Sequence, residues 1–137
     1  MISEVFFYIK IIYKMEGECM RRLYIEKHSL VVPVEGELDQ HMAGILRAQI
    51  DPLLAREGIR DIVYDFSETE FMDSSGIGMI MGRHRQVSYL GGRTGVCNVG
   101  KAMDRLLRMA GLYRIVEKFE SCEEATENFA KTRESLL

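Results

Sequence analysis

The chain is short of nearly everything that would place it in a familiar functional class. Its 137 residues include three cysteines and two prolines, and acidic residues exceed basic ones by only three (21 − 18). Cys19, Cys97 and Cys122 are widely spaced and form no CxxC or Cys/His pattern. An odd, scattered set is a poor disulfide framework and a poor zinc site, so buried, inert thiols in a reducing compartment are expected. His28, His41 and His84 lack metal spacing as well, and neither a metal nor a cofactor is expected. No hydrophobic run is long enough to cross a membrane, and no basic start with a small-residue cleavage site marks a secretory signal. Phosphate backbones need clustered Lys and Arg. Here Arg21-Arg22, and Arg83 with Arg85, stand isolated, so nucleic acid is not an expected partner. Walker-type GxxxxGK(S/T), GxGxxG after a strand, and GxSxG are all missing. Repeats, linkers and low-complexity stretches are missing too.

What is present is material for a core. With 47% hydrophobic and 28% charged residues, the chain suits one globular domain, which argues against wholesale disorder. A cytoplasmic protein without a membrane partner is the expectation. Residues 1–13 read MISEVFFYIKIIY, an apolar run opened by an acidic residue and interrupted by Lys10. Such a run suits an extra strand, a membrane-facing tail or an early start site, since Met15 and Met20 follow. The reading adopted is an extension over residues 1–20 that is poorly integrated into a domain spanning residues 21–137.

From residue 21 the pattern alternates. Leu23, Ile25 and then Leu30-Val31-Val32-Pro33-Val34 read as two short strands joined around His28-Ser29. Pro33 is awkward there, because it removes a ladder donor. Gly36-Glu37-Leu38-Asp39 should break the strand, with Asp39 as an N-cap. Met42, Ile45, Leu46, Gln49, Ile50, Leu53 and Leu54 recur at helical spacing. Asp51-Pro52 should kink or interrupt that helix, and Gly58 should close it. Residues 59–66 read as a strand bounded by Gly58 and Ser67. Residues 72–89 read as a helix with Asp73 and Ser74 as cap candidates and Ile77, Ile80, Met81, His84 and Val87 on one stripe. A strand over 94–99, a helix over 101–110 with Met103, Leu106, Leu107 and Ala110 inward, and a brief strand at Ile115-Val116 follow. Ser121-Cys122-Glu123-Glu124 has the form of a capping box leading a helix with Ala125 and Phe129 inward. Strands separated by helices predict an α/β domain with a mixed, largely parallel sheet and about four helices.

The informative string is FMDSSGIGMIMGRHRQV, a strand end, a tight turn and a helix start. A Ser or Asp at this position is explained well enough by capping. Gly76, Gly78 and Gly82 are harder to explain, since each costs a helix roughly 1 kcal/mol relative to alanine. Close approach, to the sheet or to a partner, is the usual reason. An esterase with Ser74 or Ser75 as nucleophile and His41 or His84 as base is disfavoured by the lack of GxSxG and of an oxyanion loop. A nucleotide- or small-ligand-sensing module is the other competing class.

Gly36-Glu37-Leu38-Asp39, Phe71-Met72-Asp73-Ser74-Ser75-Gly76-Ile77-Gly78, Gly82-Arg83, Gly91-Gly92 and Met109-Ala110-Gly111-Leu112 together resemble the STAS domain of bacterial anti-sigma factor antagonists. The resemblance covers residues 23–131 and is strongest to the sporulation branch, which opposes the anti-sigma F factor. General-stress antagonists are the runner-up within the family. It implies a STAS-like fold and no catalysis by the chain itself. Ser74, directly after Asp73, is implied to be phosphorylated by an anti-sigma factor that is a serine kinase. The unphosphorylated form is implied to bind that kinase and release the sigma factor, with a serine phosphatase reversing the modification. Parallel strands ahead of the 36–39 loop and of the Asp73-Ser74 turn would put both on one side of the sheet. Glu37, Asp39, Asp73, Ser75, Gly76 and Gly78 are then the expected partner-binding residues. Without the resemblance, Asp39 reads as a helix cap and Glu37 as a solvated charge. Departures from the family pattern are residues 1–20, Pro33 and Pro52.

Overall fold

Residues 30–34 and 62–66 carry apolar side chains at almost every position, which suits strands covered on both faces. In the computed structural model of the protein, which describes residues 22–136, those runs form two interior strands of a five-stranded sheet. The elements are β1 (Tyr24–Glu26), β2 (Ser29–Leu38), α1 (Gln40–Leu54), β3 (Asp61–Met72), α2 (Ser74–Tyr89), β4 (Thr94–Cys97), α3 (Lys101–Met109), a 3-10 turn (Leu112–Arg114), β5 (Val116–Phe119) and α4 (Cys122–Leu136). Strand order follows chain order. β1 and β2 pair antiparallel, and β2 through β5 are parallel. This is the expected α/β domain with a largely parallel sheet and four helices. The extension expected over residues 1–20 lies outside the described residues.

Strand alternation divides the core between two faces. Leu30, Val32 and Val34 of β2, with Ile62, Tyr64 and Phe66 of β3, pack on one face against Leu46 and Ile50 of α1, Met79 and Ile80 of α2, and Met103 and Leu107 of α3. Val31, Val63 and Cys97 point the other way, onto Ala125 and Phe129 of α4. The Phe119 and Phe129 rings meet edge to face with centroids 5.4 Å apart, a favoured aromatic geometry. The capping box ahead of α4 forms in part, its return bond reaching the amide one residue before Ser121. The Glu124 amide donates to Ser121 Oγ (3.1 Å), and Glu124 Oε2 accepts from the Glu120 amide (3.1 Å).

Several local expectations are corrected. β2 does not break at Gly36, and β3 does not stop at Ser67. Both continue in parallel pairing, through Glu35↔Glu68 and Gly36↔Thr69, to Leu38↔Met72. Two register shifts, with Gly36 at φ +71, absorb the irregularity, and Thr69 Oγ1 donates to the Val34 carbonyl at 2.6 Å. Pro33 is accommodated because β1 pairs with β2 no further than Val31, so among the described residues the proline lies where one side of β2 has no strand to bond. Pro52 does not interrupt α1, which runs on to Leu54 and is closed by Ala55 rather than Gly58. The stripe expected on α2 holds except at Met81. Ile80 and Val87 are buried and Ile77 packs against the core, joined by Gly76 and Met79, while Met81 is 38% exposed. Ala110 is exposed, since α3 ends at Met109.

The cysteines give the largest correction. Cys97 and Cys122, expected as unpaired thiols, form a disulfide with Cα atoms 5.4 Å apart. Their 25-residue separation conceals that β4 ends and α4 begins at one place beside β5. Cys19 lies outside the described residues.

Candidate functional site

β4 pairs with β3 only as far as Cys97↔Asp65, and β1 leaves β2 at Val31. Among the described residues, the last part of β2 and β3 therefore forms a two-stranded parallel ribbon beyond the body of the sheet. Both strands end in an aspartate that starts a helix. Asp39 accepts a hydrogen bond from the Met42 amide (2.9 Å) and caps α1. Asp73 accepts from the Ser75 amide (2.8 Å) and caps α2. The Asp73 amide donates to the Leu38 carbonyl (3.3 Å), tying one cap to the strand that delivers the other. Two helix N-termini, each with partial positive charge, thus open on the same edge.

This arrangement decides between the two cap candidates. Asp73 is the cap, and Ser74 is the first residue of α2, so Ser74 is relieved of capping. Ser74 is exposed, and its hydroxyl makes no hydrogen bond among the described residues. Ser75 is half-buried and contributes its amide to Asp73.

The glycines of α2 separate by environment. Gly76 is buried: a Cβ there would stand 2.6 Å from Met72 Cγ and 2.7 Å from Leu38 Cγ. Expected among the partner-binding residues, it is instead buried at the point where α2 touches the ribbon. Gly78 is exposed and Gly82 half-buried, and a Cβ at either meets nothing within 4 Å. Among the described residues nothing offsets their roughly 1 kcal/mol helix penalties. Ser74, Gly78 and Met81 follow one another at i, i+4 and i+7 along the exposed side of α2, a smooth strip of small residues ending on a methionine.

The ribbon adds an acidic flank and an apolar tip. Glu37 on β2, and Glu68 and Glu70 on β3, are exposed, and Phe71, paired in register with Glu37, is 47% exposed. Phe71 was missed as a site residue. Once β3 is known to continue past Ser67, period-two alternation against buried Met72 would have turned it outward.

Other candidates fall away. His84 sits ten residues along α2 from Ser74, about 15 Å at helical rise, with its Nδ1 engaged by Thr94 Oγ1 at 2.9 Å. Burial pulls the His84 pKa below the usual imidazole value. It cannot serve Ser74 as a base. His28 Nδ1 meets the Gly58 carbonyl at 2.9 Å, and His41 is an exposed first-turn residue of α1. Arg83 turns inward to Asp51 (3.1 Å), while Arg85 borders an open groove of about 480 Å³ with Leu54, Tyr89 and Leu90. Asp65, Cys97 and Cys122 bring potential ligand atoms within 4.8 Å of one another, but the disulfide commits both sulfurs.

A family model described as the STAS domain matches residues 21–125. The chain belongs to the STAS family. This STAS protein is 38% identical over 92 residues to the anti-sigma F factor antagonist of Paenibacillus polymyxa, covering 67% of the present chain and 79% of that one. Among solved structures, it superposes on the anti-sigma factor antagonist SpoIIAA in its unphosphorylated form with a TM-score of 0.64 at 26% identity, covering 80% of this chain and 96% of that one. The Bacillus cell fate determinant SpoIIAA in the phosphorylated form gives 0.63 at 30% identity, covering 77% and 96%. Likeness to both forms is therefore nearly equal.

Proposed function

We propose that this STAS protein is an anti-sigma factor antagonist that works by partner switching. Its unphosphorylated form binds an anti-sigma factor serine kinase and releases the sigma factor, and phosphorylation of Ser74 ends that binding. A serine phosphatase restores the active form. The chain supplies an acceptor hydroxyl and a docking surface rather than catalysis, and it works in the cytoplasm, in control of sporulation. The 21–137 domain carries this role. Glu37, Asp39, Asp73, Ser75 and Gly78 form the partner surface with Phe71 and Met81 as apolar contacts, and Gly76 supports it from beneath.

The observation that carries the reading is the free, exposed Ser74 hydroxyl on the first residue of α2, left open because Asp73 does the capping. A phosphate there adds about −1.5 to −2 charge. The helix N-terminus favours that charge by roughly 0.3–1 kcal/mol, which leaves the fold in place. A partner carboxylate about 4 Å away opposes it by about 4 kcal/mol per unit charge at an effective dielectric of 20. A close-docked apolar surface would impose desolvation besides. The penalty in the complex exceeds the gain in the free protein, so dissociation needs no refolding. The near-equal likeness to both forms of SpoIIAA supports a local switch.

The test is incubation with the anti-sigma factor kinase and ATP, followed by peptide mass spectrometry. One phosphate is expected on Ser74, and none with ATP alone. Phosphate confined to Ser75, or absent from the 71–83 segment, would overturn the reading.

A further inference from the structure

We propose that Cys97 and Cys122 form a reversible thiol–disulfide site, opened by attack of a low-molecular-weight thiol on the Cys122 sulfur. Their Cα separation of 5.4 Å is ordinary for a disulfide. The two residues differ in exposure, although both sulfurs sit close to the Asp65 carboxylate. Cys97 is fully buried in the cluster of Val31, Val63, Ala125 and Phe129. Cys122 is half-buried and lines a cavity of about 270 Å³ between β1 and α4, bordered by Tyr24, Glu26, Lys27 and Thr126. A small thiol entering there would meet Cys122 before Cys97, which lies in the packed cluster. Access of this kind selects which sulfur is attacked. In a reducing compartment, disulfides are characteristically transient and redox-sensing.

The exchange balances in two steps. The thiolate of an external thiol RSH bonds to Cys122 Sγ, the Cys97–Cys122 bond breaks, and Cys97 leaves with the electron pair. The Asp65 carboxylate lies within 4.8 Å of that sulfur and disfavours a thiolate, so Cys97 takes a proton as it leaves. A second RSH then attacks the mixed disulfide, giving RSSR and the Cys122 thiol. The reverse sequence, with RSSR as oxidant, remakes the bond.

Opening this clasp frees the start of α4 while leaving its other attachments. Phe129 remains packed on the sheet under the Arg93 guanidinium, which sits 4.5 Å from the ring centroid and pairs with Glu117. The reduced form is therefore folded but less stable. On β3 the position paired with Cys97 is Asp65, seven residues before Met72, or about 23 Å along the strand. The disulfide cluster also occupies the opposite face from the main core. The site therefore governs how firmly α4 is held, independently of the partner-switching proposal.

The experiment uses the full chain carrying Cys19→Ser, equilibrated in mixtures of reduced and oxidised glutathione, then alkylated and peptide-mapped. Under oxidised glutathione the Cys97 and Cys122 peptides are expected to be linked. At intermediate ratios glutathione is expected on Cys122 at least tenfold more than on Cys97. Full reduction should lower the melting temperature by roughly 5–15 °C. Adding Cys122→Ser, a substitution suited to a first-turn position, should make melting independent of the glutathione ratio. Free alkylation of both cysteines under oxidised glutathione would overturn the proposal. So would preferential adducts on Cys97, or a ratio-dependent melt that persists in Cys122→Ser. If that variant does not fold, adduct mapping on the unsubstituted pair decides alone.

Discussion

At the scale of single residues, the two glycines nearest Ser74 stand in opposite environments. Gly76→Ala would drive a methyl group to 2.6 Å from Met72 Cγ and 2.7 Å from Leu38 Cγ. Overpacking of that kind typically costs 1–3 kcal/mol, so a clear loss in denaturant melts is expected. Gly78→Ala meets open space and gains up to about 1 kcal/mol of helix propensity. It should be more stable than the parent yet bind the anti-sigma factor less tightly, because the methyl group rises from the docking strip. Phe71→Ala should be near neutral for stability, the ring being 47% exposed, but weaken binding at least tenfold in a titration if the ring is the aromatic anchor of the interface. Two other residues contribute to acid sensitivity. Hydrogen bonds from Tyr113, Lys118 and Arg108 hold the Asp104 carboxyl below the usual carboxylate range, and burial holds His84 below the usual imidazole value. Both folded pKa values are depressed, so their contributions are present above the unfolded values, about 3.9 and about 6.5, and are lost as pH falls. Stability should decline first just below pH 6.5 and again below pH 4. Denaturant melts across pH should show His84→Gln flattening the first decline and Tyr113→Phe reducing the second.

At the scale of elements, legibility followed how far each signal depends on neighbours. The helices are readable because apolar spacing and caps are local, and Asp39 and Ser121 cap α1 and α4 as expected. Strand ends were less readable. Glu35 and Glu68 look like loop residues, yet they continue a ladder because β2 and β3 support each other beyond the reach of β1 and β4. Pro52 was overweighted, since a proline near a helix end removes one bond without preventing the last turn. The disulfide was invisible for a different reason. Spacing of 25 residues carries no geometric signal until β4, β5 and α4 have been placed. The candidate site divides the same way. The Asp73-Ser74 step could be read from the motif, but the exposure of Phe71 and the burial of Gly76 needed the ribbon.

At the scale of the whole molecule, the fold keeps Ser74 at the end of a braced projection. Asp73 holds the helix start, the Asp73 amide is bonded to Leu38, and Gly76 seats α2 on both strands. Stability and partner affinity can therefore be varied separately. Asp73→Ala removes the cap and should cost 0.5–2 kcal/mol, whereas Ser74→Ala removes an uncapping hydroxyl and should be nearly neutral. Ser74→Asp brings a carboxylate to a helix N-terminus, where it stabilises by roughly 0.3–1 kcal/mol, so its melt should equal or exceed that of Ser74→Ala. Affinity is expected to run the other way. Ser74→Ala should bind the anti-sigma kinase like the unphosphorylated protein, while Ser74→Asp should bind at least tenfold more weakly, a difference of about 1.4 kcal/mol or more. Thermal melts and binding titrations on the two variants give both orders. Equal affinities would mean that charge on the first residue of α2 is not what separates the partners. The discriminating group would then have to be sought elsewhere on the exposed strip, at Gly78 or Met81, or on the ribbon at Phe71.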